Sequence, residues 1–193
     1  GLVKNAYGLQ CFDVESIQYI ADTRRLITDI GHYADPSSKG RFLDGLHATI
    51  LGATEVDTHF NVNVNTHSDG RLLHGIGGHQ DSAAGANLTM ITVPVFRKTI
   101  PVIRDAVTTI TTPGDVIDAI VTDQGIAINP KRTDLLEKIE GNNDVNLISI
   151  ETLKQMADDQ TGGPPALDLG DEIIGITKWR NGELLDVIYR VKE

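Results

Sequence analysis

The sequence contains one cysteine, one tryptophan and few aromatic residues, which make up 5% of the chain. A single cysteine excludes an internal disulfide framework and is typical of a reducing compartment. No stretch approaches the roughly 18 consecutive apolar residues that a membrane-spanning helix needs, and the first residues lack a signal-peptide pattern. We therefore expect a soluble protein of the cytoplasm.

Basic residues are also scarce. The 17 lysines and arginines are outnumbered by 27 aspartates and glutamates, and the formal net charge is -10. A surface of this sign repels nucleic acids and anionic membranes, which argues against both as partners. A bound anion must then be held locally by a few cations. The 193 residues, 40% of them hydrophobic, suffice for one substantial core.

Strand-like and helix-like stretches alternate along most of the chain, which predicts an α/β domain over residues 1–160. The segment TGGPP at 161–165 predicts a linker, because prolines and glycines interrupt regular structure. Alternating apolar residues on either side of Asn181-Gly182 predict a β-hairpin, so that residues 161–193 form an appendage packed on the same domain. Because Gly1 is not preceded by a methionine, we expect a longer polypeptide.

Local signals predict several individual elements. Asp13 and Ser149 are suitable helix caps, and Ser68-Asp69-Gly70 is a suitable hairpin turn. A helix is also predicted around Leu135 to Ile139. Predicted strands lie at residues 9–12, 88–95, 118–122, 125–129 and 145–148, with further short strands between residues 46 and 64.

The stretch GIGGHQDSAAGA, from Gly75 to Ala86, is typical of a glycine loop that leads into a short helix. Gly75, Gly77 and Gly78 lack a Cβ, so neighbouring backbone N–H groups can converge on one anion. Asp81 is predicted to cap the helix that follows it. Such a loop suits a phosphate, a carboxylate or the oxyanion of a reacting carbonyl, and a simple tight turn is the alternative.

Glu55 follows the apolar stretch ATILGAT, which predicts that it lies at the end of a buried strand. Carboxylates can attack activated carbonyl groups to form anhydrides, and partial desolvation increases their reactivity. Glu55 is therefore a candidate nucleophile. The alternative is that Glu55 or Asp57 caps a turn or pairs with a basic residue.

All six histidines lie between His32 and His79. Their spacing contains no HExxH motif, and His79 with Asp81 supplies only two metal ligands. The pattern favours hydrogen-bonding histidines around a polar cleft, so no metal site is predicted. A metallohydrolase remains an alternative hypothesis.

Other polar residues could contact a ligand. Asn61, Asn63 and Asn65 alternate, so they are predicted to project from one face of an extended segment and to bind a polar ligand or loop backbone. Arg71 and Arg97 are candidates for binding a carboxylate through a guanidinium fork.

Three motifs in order are together more specific than any one of them: GATEVDTHFNVNV at 52–64, GIGGHQDSAAGA at 75–86 and VTDQGIAINPKRTDL at 121–135. Their combination resembles the alpha subunit of citrate lyase, a citrate CoA-transferase of the wider CoA-transferase superfamily. The resemblance extends from about Leu9 to the terminal hairpin and covers only the C-terminal part of that longer subunit. It implies a layered α/β fold like those of ribose-phosphate isomerase and glucosamine-phosphate deaminase, with two such domains flanking the active site.

The resemblance also implies roles for individual residues. Glu55-Val56-Asp57 matches the E-[IV]-D pattern whose glutamate attacks the acyl thioester in related CoA-transferases. Phe60 replaces a glycine of many of those relatives, as in the citrate branch, where the exchange is thought to need no covalent enzyme–CoA intermediate. Orienting or electrostatic work is therefore an alternative for Glu55. The glycine loop resembles those that bind the CoA thioester and supply oxyanion-hole amides, which matches Gly77 and Gly78 here. Together with neighbouring polar and glycine positions, the candidates for CoA or thioester binding are Gly77, Gly78, His79, Asp81, Gly85, Asn61 and Asn63.

The implied reaction transfers an acyl-carrier thioester from acetate to citrate. Citrate displaces acetate from the prosthetic group, a CoA derivative carried by the gamma subunit, and the beta subunit then cleaves the citryl thioester. The implied partners are the N-terminal half of the same subunit and the beta and gamma subunits, in an oligomer. The alternative hypothesis is a non-catalytic module that binds a CoA thioester or acyl carrier during assembly.

Overall fold

The computed structural model describes residues 8–9, 11, 13–23, 29–35 and 37–192. The chain divides into two compact units, Gly1–Gly45 and Leu46–Glu193. The segment 161–193, predicted as an appendage packed on the same domain, belongs to the second unit. The strand predicted at residues 9–12 includes residues outside the described ones.

Five α-helices and eleven strands are formed by the described residues. The helices are α1 (Val14–Thr23), α2 (Ile30–Ala34), α3 (His79–Gly85), α4 (Thr133–Ile139) and α5 (Ile150–Thr161). The strands are β1 (Thr49–Leu51), β2 (Glu55–Asp57), β3 (Val62–Asn63), β4 (Thr89–Thr92), β5 (Phe96–Arg97), β6 (Ile100–Pro101), β7 (Ile103–Arg104), β8 (Ala119–Val121), β9 (Ile126–Ile128), β10 (Leu169–Lys178) and β11 (Leu184–Val191). None of the described helices has the length and apolarity needed to cross a membrane.

The first unit contains α1 and α2, and an aspartate directly precedes each of them. Asp13 accepts a hydrogen bond from Ser16 N over 2.7 Å, and Asp29 accepts one from His32 N over 2.9 Å. These bonds satisfy backbone donors that a helix leaves unpaired at its start. The cap predicted at Asp13 is confirmed.

The second unit is built around a four-stranded sheet with the order β1-β4-β8-β9. Strands β1, β4 and β8 are parallel, and β9 returns antiparallel to β8. The strands predicted near residues 88–95, 118–122 and 125–129 are confirmed. The strand predicted at 145–148 is wrong, because this segment forms only an isolated bridge between Leu147 and Ile126.

A smaller sheet has the order β3-β2-β7. Strand β2 pairs antiparallel with β3 and parallel with β7. Val56 of β2 and Ile103 of β7 are 0% exposed and join the same apolar core as Ile91 of β4. The core therefore spans both sheets and places β2 in the interior.

Helix α5 covers this core with Ile150, Leu153 and Ala157. It begins at Ser149, whose side chain accepts a hydrogen bond from Thr152 N as predicted. The helix ends at Gly162, which has a left-handed φ of 80° and leads into the irregular TGGPP segment.

Strands β10 and β11 form the predicted antiparallel hairpin. Thr177 Oγ1 donates to Ile110 O over 2.8 Å, and Ile110 N donates to Asp186 Oδ2 over the same distance. Gln80 Nε2 donates to Lys178 O over 2.9 Å. The hairpin therefore packs against the segment before residue 114 and against α3.

Candidate functional site

The second unit contains a cavity of about 950 Å³ beside the glycine loop. Its walls come from the segment between β1 and β2, the chain from Val64 to His79, the β5–β6 hairpin and Pro165 of the predicted linker. The lining combines apolar side chains with two arginines, three histidines and one carboxylate, Asp69. Such a cavity suits a ligand with an apolar part and a negative charge.

The glycine loop leaves its backbone open next to this cavity. A Cβ added to Gly75 or Gly77 would meet no atom within 4 Å, and Gly77 has a φ of +62°, which favours glycine. Ile76 and His79 of the same stretch line the cavity. The loop therefore allows a ligand to approach its backbone closely.

The predicted cap at Asp81 is wrong. Helix α3 begins at His79, its N-cap residue is Gly78, and no side chain caps it. Asp81 lies in the first turn and pairs instead with Arg180 Nε over 3.0 Å. The helix starts before Asp81 because Gly78 is an acceptable N-cap residue without a side-chain hydrogen bond. Gly85 is the last residue of α3 and, like Asp81, does not line the cavity.

His79 is buried and uses both ring nitrogens within the protein. Nε2 lies 3.1 Å from Gly52 O, and Nδ1 lies 2.8 Å from Thr112 Oγ1. A carbonyl can only accept, so Nε2 carries the proton and Nδ1 accepts from the threonine hydroxyl. Burial lowers the pKa of His79 below its ordinary value, which favours the neutral ring. His79 fixes the cavity wall and has no ring nitrogen left for a ligand.

Glu55 lies in the interior and does not line the cavity. Its side chain is 0% exposed and forms an ion pair with Arg104, which is 6% exposed. It also accepts hydrogen bonds from Asn63 Nδ2 over 2.9 Å and from Thr108 N over 2.7 Å. Glu55 is the first residue of β2, so the prediction that it ends a buried strand is wrong. A carboxylate with these partners is held in place and shielded from a ligand.

The three alternating asparagines bond to different parts of the fold. Asn61 Oδ1 accepts from Gly114 N over 2.9 Å, Asn63 reaches Glu55, and Asn65 Nδ2 donates to His74 O. The chain is a strand only at Val62–Asn63, so no extended segment carries all three. Their amides bind protein groups, which was the second of the two predicted uses.

Both predicted arginines line the cavity, but their surroundings differ. The Arg71 side chain is 71% exposed and pairs with Asp69 over 2.8 Å. Arg97 donates to Thr54 O over 3.0 Å and to Ala53 O over 2.8 Å, and burial lowers the pKa of its guanidinium. In the described part of the chain the Arg97 side chain bonds only to backbone carbonyls, so its charge is available to a ligand, whereas Arg71 already has an acidic partner in Asp69.

Among the described residues, no group of at least three histidines, cysteines, aspartates or glutamates could hold a metal ion. His67, His74 and His79 line the cavity. His74 Nδ1 lies 2.7 Å from Gly75 O, and His79 is occupied as described above.

Comparison with known proteins identifies the chain. The sequence matches the family "Citrate lyase, alpha subunit (CitF)" over residues 1–191. This chain belongs to the citrate lyase alpha subunit family. It is 40% identical to the citrate lyase alpha chain of Klebsiella pneumoniae and 38% identical to that of Escherichia coli, along its whole length. It spans 38% of the length of each of these relatives.

A solved member of the citrate lyase alpha subunit family has the same fold. The crystal structure, described as the alpha subunit of citrate lyase from Streptococcus mutans in complex with citrate, superposes with a TM-score of 0.89. It is 40% identical to this chain, and the match covers 94% of this chain and 36% of that one. The mixed α/β architecture with several sheets is therefore that of the matched part of the citrate lyase alpha subunit.

Phe60 has a left-handed backbone conformation that is uncommon for a residue with a side chain. It occupies the position at which the sequence resemblance expects a glycine in many other CoA-transferases. Its φ is +65° and its side chain is 2% exposed. The turn is closed by Phe60 N donating to Asp57 O over 2.8 Å. The glycine-like conformation is thus kept, and the phenyl ring fills the core.

Sequence reasoning missed Arg104 and the segment 52–54. Arg104 ends the short apolar stretch PVIR, and β7 pairs in parallel with β2 so that Arg104 lies opposite Asp57. Glu55 is two residues earlier on β2 and therefore on the same face. Recognising both PVIRD and ATEVD as neighbouring strands would have placed Arg104 on the same face as the two carboxylates of β2.

Proposed function

We propose that this chain is the C-terminal part of a citrate CoA-transferase and that its cavity forms one wall of the active site. The reaction exchanges the acyl group on an acyl-carrier thioester. A citrate carboxylate and an acetyl thioester give a citryl thioester and acetate, so one thioester bond breaks and one forms.

The combination of Arg97 with the open glycine loop carries this proposal. Arg97 supplies a cation for a citrate carboxylate in a protein whose net charge is -10. The backbone at Gly75 and Gly77 allows a thioester oxyanion to approach N–H groups. Apolar residues such as Ile76 and Val102 line the same cavity as Arg97, which suits the arm that carries the thioester.

Glu55 fits an orienting role better than a nucleophilic one. Its carboxylate is enclosed by Arg104, Asn63 and Thr108, and it does not reach the cavity. A covalent intermediate would require these bonds to break and the side chain to move. Glu55 therefore acts by holding Asn63, Arg104 and Thr108 in place behind the cavity wall. A citrate carboxylate can attack the acetyl thioester directly to form a mixed anhydride, and the released thiolate then attacks the citryl carbonyl and expels acetate.

The remaining parts of the proposal extend beyond the described residues. The fold is of the layered CoA-transferase type, and the N-terminal half of the same subunit supplies the opposite wall. The CoA-derived group is delivered by the gamma subunit, and the beta subunit takes the citryl product. The assembly works as an oligomer in the cytoplasm.

The test uses the full-length subunit with acetylated carrier and labelled citrate. Gly75→Val fills the open space beside the loop backbone and should reduce citryl transfer strongly, whereas Glu55→Gln should reduce the rate without abolishing transfer. Glu172→Gln, on the exposed hairpin, is the control. Full activity in both site variants would overturn the proposed site.

The burial of Glu55 also favours a second candidate function. A module that binds the CoA thioester or acyl carrier during assembly needs the cavity but no reactive carboxylate. Carrier binding by the full-length subunit without any citryl transfer would support this second function.

A further inference from the structure

Three successive carbonyl groups directly before Glu55 are held by two side chains of the cavity wall. His79 Nε2 lies 3.1 Å from Gly52 O, and Arg97 donates to the carbonyls of the next two residues over 2.8 and 3.0 Å. The segment 52–54 belongs to neither β1 nor β2. These side-chain bonds therefore satisfy carbonyl groups that strand pairing leaves free.

The β5–β6 hairpin presents Arg97 to this segment. Arg97 pairs with Ile100 in the hairpin, and both residues line the cavity. A guanidinium has five N–H donors, and two of them serve the carbonyls of segment 52–54. The remaining donors allow the same planar group to bind a carboxylate in the cavity.

We propose that Arg97 is a positioning residue that couples a bound substrate carboxylate to segment 52–54 and through it to Glu55. One rigid group then contacts both the ligand and the backbone, so the position of the carboxylate sets the position of the segment. This inference rests on the proposed function only in taking a carboxylate as the substrate.

Arg71 provides a matched comparison because it lines the same cavity. Its guanidinium pairs with Asp69, and within the described residues it makes no hydrogen bond to segment 52–54. Arg71 can attract a carboxylate, but its guanidinium does not hold the carbonyls before Glu55 as Arg97 does. Lysine substitutions keep the positive charge at either site and remove the planar fork.

Hydrogen exchange in the full-length subunit tests the coupling without requiring catalysis. The reporters are the amides of Thr54 and Val56, which donate to Asn63 O and Val102 O. Citrate, compared with chloride at equal ionic strength, should slow exchange at both amides in the wild type. Arg97→Lys should speed exchange without ligand and remove the citrate effect, whereas Arg71→Lys should retain that effect at saturating citrate.

Each outcome of the exchange experiment has one meaning. A citrate effect that survives in Arg97→Lys overturns the inference, as does wild-type citrate binding that leaves both amides unchanged. If citrate does not bind the wild type, the proposed function fails. The exchange rates of the wild type and Arg97→Lys without ligand then still test whether Arg97 positions segment 52–54. Equal rates at the Thr54 and Val56 amides in the two proteins would overturn that role.

Steady-state kinetics of the full-length subunit separate positioning from simple binding. Arg97→Lys retains the charge but cannot bridge the backbone and the carboxylate, so kcat should fall at least about tenfold with a much smaller change in the KM for citrate. Arg71→Lys should change mainly that KM. A change confined to KM in Arg97→Lys would overturn the positioning role.

Discussion

Arg104 forms an ion pair with Glu55 in which the two side chains are only 6% and 0% exposed. The pair lies at the start of β2, behind the cavity wall, and it joins β2 to β7. This pair explains why the E-[IV]-D glutamate is enclosed: the carboxylate is placed by the fold before any ligand binds.

Removing Arg104 should destabilise the chain strongly. Arg104→Met leaves a buried carboxylate without its cation, and the free energy of unfolding should fall by about 3–5 kcal/mol. Urea unfolding followed through the single tryptophan, Trp179, measures this change. The control is Arg190→Met, which breaks an exposed pair with Glu172 and should cost less than about 1 kcal/mol. Equal losses in the two variants would contradict the burial of the Glu55 pair.

His79 should make stability depend on pH. Burial lowers the pKa of the folded ring below the ordinary value of 6.5, so at lower pH the unfolded chain gains a proton that the folded chain resists. The free energy of unfolding should therefore be unaffected by His79 above that value and fall below it, by at most about 1.4 kcal/mol per pH unit. His79→Gln, which can still donate to Gly52 O, should have a flatter profile between pH 7 and 5. If the wild type and His79→Gln lost stability equally between pH 7 and 5, His79 would not be a buried ring that resists protonation.

Gly114 should tolerate no side chain. A Cβ at this position would overlap the carbonyl oxygen of His59 in the turn next to Phe60, so Gly114→Ala should cost about 1–3 kcal/mol. Gly75→Ala places its Cβ in open space and should change stability by less than about 0.5 kcal/mol. Unfolding measurements on both variants check the contrast, and a stable Gly114→Ala would show that the turn lies elsewhere.

Replacing Lys98 with glycine should stabilise the folded chain. Its φ is +56° at the turn of the β5–β6 hairpin, and relief of this conformation in Lys98→Gly should raise the free energy of unfolding by up to about 1 kcal/mol. Thr99→Gly, at a neighbouring position without a positive φ, should lower it. The same direction of change in both variants would argue against a strained backbone at Lys98.

Local signals predicted much of the fold. Asp13, Ser149 and Asn181-Gly182 act on backbone groups within a few residues, and each was found where predicted. The cap predicted at Asp81 was wrong because Gly78 allows α3 to start earlier without a side-chain cap.

Features of the site that depend on distant residues could not be predicted. The pairing of Glu55 with Arg104 spans 49 positions and needs β2 and β7 to be neighbours. Arg97 was nominated from its charge alone, and its bonds to segment 52–54 depend on how the β5–β6 hairpin folds over that segment.

The most direct test of the central claim is a transfer assay with the full-length subunit, acetylated carrier and labelled citrate. The wild type should release one acetate for each citryl thioester formed, and Arg97→Gln should lower kcat/KM for citrate by at least about tenfold, because a charge-assisted hydrogen bond contributes about 1.5–3 kcal/mol. Wild-type transfer together with an unchanged kcat/KM in Arg97→Gln would contradict the account.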